Sequence, residues 1–411
     1  MKDETSAASA YSYPIVQTYL PAFFVFLSLA LFSSFIPLYA IKLGANKAQA
    51  SLFTGIKELS LFFFDLPAGM IMDAIGERRS LILGSLGFAL LSIMVGLFGN
   101  LPVLGFSLFF FGAAQALWLV AVLSYLRKAA SLDRRGRTIA SLGGIMRLGR
   151  FLGPVAGGLI VQFIGYSYLF LCSGLFFLTA VVLHMIFTVK IGSEEGQPDG
   201  KVKRETTTDP FGKMAIRDVI RKQRKVFLTT GVVMLILGVV RKARQIVLPI
   251  WGATIGLPVA SIGLFLGIAS GIEMFMAFPG GLIMDKAGRK WALGLCMVLI
   301  SGGLMLIPLV GTPPAFFLVT ILIGIGNGFG SGINMTLGAD LANGSSVGIF
   351  LGIWRVLSDM GRVISPLIIG LFAGIAYFTT GILVVSSIGF GGFLYMLFRV
   401  RETKKGMPEG G

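Results

Sequence analysis

The chain has 411 residues, of which 55% are hydrophobic and only 13% are charged, and its mean hydropathy is +0.86. Soluble domains carry about 25% charged residues, so this composition excludes a soluble domain and predicts a membrane protein. The two cysteines, Cys172 and Cys296, lie in apolar runs, so we expect neither a disulfide framework nor a metal site.

Twelve apolar runs follow one another along the chain, and a run of about 20 residues crosses a bilayer as a helix. They cover residues 16–40, 50–72, 80–98, 102–126, 138–163, 167–189, 227–249, 259–284, 291–310, 315–338, 347–373 and 378–398. The one long gap between them is polar and charged. We therefore predict an all-α membrane protein with an N-terminal six-helix bundle (1–189), a cytoplasmic linker loop (190–226) and a C-terminal six-helix bundle with a short cytoplasmic tail (227–411).

The net charge of +16 is distributed unevenly between the two sides of the predicted membrane. Only Lys42 and Lys47 fall on one side, whereas the other loops, the linker and the tail are rich in Lys and Arg. The positive-inside rule then places both termini in the cytoplasm of a multi-pass protein of the plasma (inner) membrane. This bias explains the charge, so we expect the lipid bilayer as a partner and no nucleic acid.

An offset of 212 residues brings the two halves of the chain into alignment without gaps. Several glycines match, and so do three prolines, which are rarer and therefore more informative. The matched prolines are Pro37 with Pro249, Pro67 with Pro279, and Pro154 with Pro366. Because each half has an even number of helices, the repeat predicts two parallel, pseudo-symmetric bundles, as in alternating-access carriers.

A short polar turn follows the second helix of each half, in the sequences "GMIMDAIGERR" and "GLIMDKAGRK". Both resemble the duplicated loop motif of the major facilitator superfamily, whose fold has twelve helices in two such bundles. The resemblance implies a conformational latch formed by Gly69, Asp73, Gly76, Arg78, Gly281, Asp285, Gly288 and Lys290. Glu77 departs from the pattern, since the family usually has a basic residue there. A tight turn with solvated charges is the alternative interpretation.

The fifth helix contains a second motif, "RLGRFLGPVAGG". It resembles the glycine-proline motif found mainly in the family's proton-coupled exporters, and it comprises Gly149, Gly153, Pro154, Gly157 and Gly158. Three of these glycines recur at every fourth residue, which also fits ordinary close packing of helices. The fourth helix has Gly112 where many exporters have an arginine, so the proton relay of those exporters is not expected to transfer directly.

Twelve charged residues lie within or near the apolar runs: Lys57, Glu58, Asp65, Arg147, Arg150, Arg241, Lys242, Arg244, Glu273, Arg355, Asp359 and Arg362. A charge at the centre of a membrane helix costs about 2.5–3.5 kcal/mol on insertion scales. We therefore expect these side chains to face a water-filled cavity or one another. Because Lys57 precedes Glu58 directly, we expect the two side chains to point in different directions.

Helical spacing places several of these charges on common faces. Arg355, Asp359 and Arg362 share one face of the eleventh helix, and the fifth helix repeats the arginines of that pattern. An excess of cations predicts a cavity that attracts an anionic solute. The candidate cavity residues are Gln115, Arg147, Arg150, Arg241, Asn327, Arg355, Asp359 and Arg362. Structural ion pairs, and an outer-rim position for the seventh-helix cations, are the alternatives.

Asp65 and Glu58 are the candidates for proton coupling. Desolvation in a membrane interior favours the protonated form of a carboxyl group, which lets it load and release a proton. Asp65 has no cation beside it in the sequence and is preferred. A packing hydrogen bond next to Pro67 explains it equally well.

The resulting expectation is a secondary transporter, not an enzyme, that moves a small organic solute, with anions as one class, by alternating access. We expect a proton-coupled exporter that functions as a monomer and uses no cofactor beyond the proton gradient. A proton-coupled importer of an organic anion and a lipid or amphiphile flippase on the same fold remain the alternatives.

Overall fold

The computed structural model describes residues 2–129, 135–188, 213–342, 347–400 and 402–403. Residues 190–212 of the predicted linker and 404–411 of the predicted tail lie outside this part of the chain. The α-helices are α1 (Lys2–Ser34), α2 (Ile36–Lys42), α3 (Lys47–Ile75), α4 (Glu77–Leu97), α5 (Leu101–Ala129), α6 (Arg135–Phe163), α7 (Tyr166–Phe187), α8 (Lys213–Lys222), α9 (Arg224–Val226), α10 (Val232–Thr254), α11 (Val259–Lys286), α12 (Arg289–Leu306), α13 (Pro313–Phe329), α14 (Ile333–Leu341), α15 (Val347–Ile375) and α16 (Phe378–Arg399). A π-helical turn, Phe227–Gly231, joins α9 to α10, and a 3₁₀ turn, Ile307–Leu309, extends α12.

Among the described residues, ten helical stretches are long and apolar enough to cross a membrane. The bent pair α1–α2 forms an eleventh span, with an angle of 42° at Phe35. Helix α3, with 29 residues, is long enough to form the twelfth span, and it carries charged residues along its length. The predicted all-α fold with twelve spans is therefore confirmed.

Glycines end the helices at equivalent places in the two halves. Gly44 and Gly256 have φ values of 97° and 77°, and Gly76 and Gly288 have φ values of 84° and 113°. A side chain is strained at such positive φ values, which explains why glycine occupies these turns. We call the two ends of the molecule the Gly44 end and the Asp73 end, after the loops that lie there.

The two halves pack against each other through two equivalent helix pairs, α6 with α11 and α3 with α15. A Cβ atom added to Gly158 would lie 3.1 Å from the Cα atom of Ala260. A Cβ atom added to Gly370 would lie 3.2 Å from the carbonyl oxygen of Ala48. Since 158 and 370, like 48 and 260, are 212 residues apart, the same close contact occurs twice, and it closes the Gly44 end.

The halves separate toward the Asp73 end. A Cβ atom added to Gly143 or Gly352 would meet nothing within 4 Å, although both residues lie on the helix faces that carry the interior arginines. Arg150 is exposed, and the side chain of Arg355 is 47% exposed. The structure is thus closed at the Gly44 end and open to solvent from the Asp73 end.

Candidate functional site

The most buried carboxylate of the interior belongs to Glu58 on α3, whose side chain is 3% exposed. It accepts a hydrogen bond from Lys242 Nζ on α10 at 2.9 Å, and Arg362 Nη2 on α15 lies 2.5 Å away. Both partners come from the other half of the chain, so this carboxylate bridges the halves. Lys242 is itself only 6% exposed, which shows that the seventh predicted span carries this charge in the interior and not at an outer rim.

The sequence position of Lys57 suggested that its side chain points away from Glu58, but in the structure its ammonium group lies near the Glu58 carboxylate. Its Nζ donates a hydrogen bond to Ser33 Oγ at 3.0 Å and lies 3.9 Å from Glu58 Oε1. The flexible four-carbon stem of lysine lets its ammonium group reach back toward a neighbouring residue.

Asp65 also takes part in an ion pair between the halves. Its carboxylate lies 2.8 Å from Arg355 Nη2, so the absence of a cation beside it in the sequence does not extend to three dimensions. Asp359 lies between Arg355 Nε at 3.5 Å and Arg362 Nη1 at 3.3 Å, as their spacing on one helix face predicted. We call the set Lys57, Glu58, Asp65, Lys242, Arg355, Asp359 and Arg362 the Glu58 network.

Four arginines form a second group, which we call the arginine wall: Arg147 and Arg150 on α6, and Arg241 and Arg244 on α10. Arg244 Nη2 lies 2.8 Å from Glu273 Oε2, and the Asn327 side chain also hydrogen-bonds to Glu273. Because Asn327 Oδ1 is buried without a partner among the described residues, this amide retains an unused acceptor.

The break between α13 and α14 provides the partners of two further arginines. Arg241 Nη2 donates to the carbonyl oxygen of Gly330 at 2.7 Å, and Arg147 Nη2 donates to Ser331 Oγ at 2.7 Å. The run 315–338 was predicted as one helix, but the glycine-rich stretch "GFGSG" interrupts it after Phe329. Glycine tolerates such a break, which turns polar groups toward the interior.

The remaining predicted cavity residues are less connected. Arg150 has no hydrogen bond or ion pair with any described residue, although its electrostatic neighbours include Glu273 and Arg244. Gln115 has a buried Oε1 without a partner in the described part of the chain. Glu58, Leu61, Phe62, Asp359 and Arg362 line a cleft.

The glycines of the fifth-span motif have a packing role in this conformation. Cβ atoms added to Gly149 and Gly153 would lie within 3.0 Å of α1 atoms at Phe26, Leu27 and Ala30, so only glycine permits this approach. Gly157 faces Phe35 in the same way, whereas Gly158 faces α11. Pro154 lies inside α6, which continues to Phe163.

The predicted latch residues lie at the open end. Asp73 and Asp285 are exposed, and Asp285 lies 3.8 Å from Arg289 Nη1. Arg78 Nη2 donates to the Met185 carbonyl at 2.8 Å, and Lys290 Nζ donates to the Leu397 carbonyl at 2.7 Å. These two contacts are equivalent, since 78 and 290, and likewise 185 and 397, differ by 212. Gly69 and Gly281, also equivalent, would meet nothing within 4 Å if substituted.

Solved structures share this architecture. A POT family transporter in complex with a thioalcohol-conjugated peptide superimposes with a TM-score of 0.77 at 16% identity, covering 93% of this chain and 95% of that one. A bacterial homologue of the human lysosomal transporter Spinster, in an inward-facing and occupied conformation, gives 0.72 at 12% identity, with 95% of both chains covered. At such identities the likeness shows the fold alone.

The sequence comparisons define the family. The family model described as Major Facilitator Superfamily matches residues 18–350 and 232–411, so the chain belongs to that family of transporters and is not an enzyme. Multidrug resistance protein 2 of Bacillus subtilis (strain 168) is 24% identical over 310 residues, 74% of each chain. Multidrug resistance protein MdtG of Escherichia coli (strain K12 / DH10B) is 26% identical over 377 residues, 86% of each chain.

Proposed function

We propose that this protein is a proton-coupled exporter of small organic solutes in the plasma (inner) membrane. The observation that carries the proposal is the match, over most of its length, to relatives named as multidrug resistance proteins. The charged interior between two repeated halves supports the same function, because a carrier of this kind binds its solute at the interface of its repeats.

The orientation follows from the charges at the two ends. The Asp73 end carries exposed basic residues, including Arg78, Arg79, Arg127 and Lys128. By the positive-inside rule this end faces the cytoplasm, with both termini. The structure then represents the state that opens to the cytoplasm, from which an exporter takes up its solute.

Asp65 is the preferred site of proton coupling within this proposal. Its side chain is 24% exposed, whereas that of Glu58 is 3% exposed, so water from the open end reaches Asp65 more easily. Protonation of Asp65 would remove its ion pair with Arg355 across the halves. Loss of a contact between the halves favours their rearrangement, which couples the proton to alternating access.

Everted vesicles with an acidic lumen test the direction of transport. The protein is reconstituted into these vesicles, and the movement of ethidium and of carboxyfluorescein across their membrane is followed by fluorescence. An exporter accumulates one of these probes in the lumen and releases it when the gradient is dissipated. Movement of a probe out of the acidic lumen, or no gradient-dependent movement of either probe, would refute the proposal.

A glycine substitution provides an inactive control. Leucine at position 158 would contact the Val259 carbonyl oxygen and Gly263, and so Gly158→Leu should prevent closure at the Gly44 end and abolish transport. The matched substitution Gly391→Leu, at a glycine with nothing within 4 Å, should transport normally.

The second candidate is a proton-coupled importer of an organic anion. The excess of cations in the interior favours it, since arginine suits carboxylate and phosphate groups. In the same vesicles, this activity would drive carboxyfluorescein out of the acidic lumen and leave ethidium unaffected.

A further inference from the structure

The charges of the interior are unequally balanced. The Glu58 network contains four cations and three carboxylates, and each carboxylate lies within 4 Å of at least one cation. The arginine wall contains four cations, but among the described residues only one carboxylate, Glu273, lies within ion-pair distance of it. The excess positive charge is therefore concentrated at the wall.

Three arginines of the wall make no ion pair with the described residues. Arg147 and Arg241 donate to a hydroxyl and a carbonyl oxygen, which carry no net charge. Arg150 has neither a hydrogen bond nor an ion pair in the described part of the chain. Arginines among membrane helices usually pair with other groups or line a water-filled pathway for a solute, so three without a carboxylate in the open interior are candidates for binding an anion.

The wall is assembled from both halves of the protein. Arg147 from the first half and Arg241 from the second donate to adjacent residues, Ser331 and Gly330. The Nε atoms of Arg241 and Arg244 are buried without an acceptor among the described residues. An anion at this position would be held by donors from both halves, as a transported solute must be.

We propose that the arginine wall binds an oxyanion group of the solute, a carboxylate or a phosphate, with Arg150 as its main contact. This inference rests on the proposed transport function and names the class of solute. Arginine presents a planar fork of donors that matches both groups in two-point contacts. The Glu58 network, whose cations already have carboxylate partners, is not the anion site.

Calorimetric titration of the purified, detergent-solubilised protein tests the proposal. The probes are benzoate, phenyl phosphate and benzamide, which share a phenyl ring but differ in charge. A hydrogen bond to a charged group contributes about 1.5–3 kcal/mol, so an anion should bind at least about tenfold more tightly than benzamide. The anion that binds more tightly, benzoate or phenyl phosphate, shows whether the site prefers a carboxylate or a phosphate group.

Three variants locate the site. Because Arg150 has no described partner to lose, Arg150→Gln should fold normally and reduce the preference for the anion by about tenfold or more. Arg150→Lys should retain part of the preference, since it keeps the charge but not the fork. Arg79→Gln removes the same charge from the exposed surface and should leave the preference unchanged.

Glu273→Gln should change the affinity for anions in the opposite direction to Arg150→Gln. Removal of the only described carboxylate at the wall should strengthen anion binding, which a purely structural role for these arginines does not predict. Equal binding of anions and benzamide, no anion binding below about 10 mM, or an unchanged preference in Arg150→Gln would overturn the proposal.

The titration needs neither a gradient nor a membrane, so its failure is distinguishable from that of the transport proposal. Charge-selective binding without gradient-driven export would refute the direction or coupling alone. Gradient-driven export of ethidium with no charge selectivity in binding would refute the oxyanion site alone.

Discussion

The two loops at the Asp73 end carry the same ion pair with its charges exchanged. In the first half, the carboxylate of Glu77 pairs with Lys128. In the second half, Arg289 Nε lies 2.9 Å from Asp340 Oδ2. Positions 77 and 289, and likewise 128 and 340, differ by 212. Both loops therefore have opposite charges at these two positions, with the signs exchanged between the halves.

This comparison also explains the departure at Glu77 from the family's loop pattern. An acid at a position that is usually basic would weaken the loop if its neighbours were unchanged. Lys128 compensates for it, and Ser124 Oγ donates a further hydrogen bond to Glu77 at 3.0 Å. The first loop is therefore not weakened at this contact.

The second loop has an additional connection that the first does not show in the described residues. The Glu402 carboxylate accepts hydrogen bonds from the backbone N–H groups of Arg289 and Lys290, at 2.9 and 3.0 Å. These groups begin α12, where a carboxylate is favoured by the orphan donors and the helix dipole. The segment after the last helix thus fixes the second loop to the end of its own bundle.

Arg289→Glu should have the largest effect on the loops. It would place a fourth carboxylate among Asp285, Asp340 and Glu402, where it would repel all three. We expect a lower melting temperature and slower transport. The double variant Arg289→Glu with Asp340→Lys recreates the charges of the first half and should recover much of the loss. A double variant no better than the single one would contradict the charge-exchange interpretation.

Glu402→Gln should have the next largest effect. Loss of a helix-capping side chain costs about 0.5–2 kcal/mol, and glutamine keeps the size of the side chain but not its charge. The melting temperature should fall, and hydrogen exchange at the N–H groups of Arg289 and Lys290 should accelerate. Exchange at the equivalent start of α4 serves as the internal control. Equal acceleration at both helices would mean that Glu402 does not act locally.

Glu77→Arg should have a smaller effect than Arg289→Glu. The Lys128 side chain is 49% exposed, so it can turn into water when its partner changes sign, and exposed pairs contribute at most about 1 kcal/mol. The double variant Glu77→Arg with Lys128→Asp gives the second-half arrangement. Its coupling energy, measured by a double-mutant cycle, should be favourable, and a value of zero would show that the pair is incidental.

Asp73→Asn should have the smallest effect on stability. The side chain is exposed, so the free energy of unfolding of the variant should remain within about 0.5 kcal/mol of the wild-type value. If the predicted latch acts in the state that is closed at the Asp73 end, Asp73→Asn should slow transport and leave solute binding unchanged. Loss of binding with a normal transport rate would exclude the latch role.

The sequence predicted the helices and the repeat well because both depend on features that are local or periodic. Run lengths located the spans, and the offset of 212 located the equivalent contacts at Gly158 and Gly370. The bend at Phe35 was missed within the run 16–40, although Pro37 disfavours helix at the residue before it.

The contacts of the charged residues could not be predicted in the same way. The pairs of Glu58 with Lys242 and of Asp65 with Arg355 join residues more than 180 positions apart, whose approach depends on the packing of the two halves. Helical spacing showed only which charges share a face. The unpaired state of Arg150 also emerged only when the partners of its neighbours were known.

We expect the two halves to rock about the charged interior, so that one end opens as the other closes. Distances between spin labels test it directly, at Ala74 with Lys286 for the Asp73 end and at Asn100 with Thr312 for the Gly44 end, after replacement of Cys172 and Cys296. When the reconstituted protein is shifted between its states by pH or solute, the first distance should shorten as the second lengthens. Two distances that stay fixed, or that change in the same direction, would rule out this rocking motion.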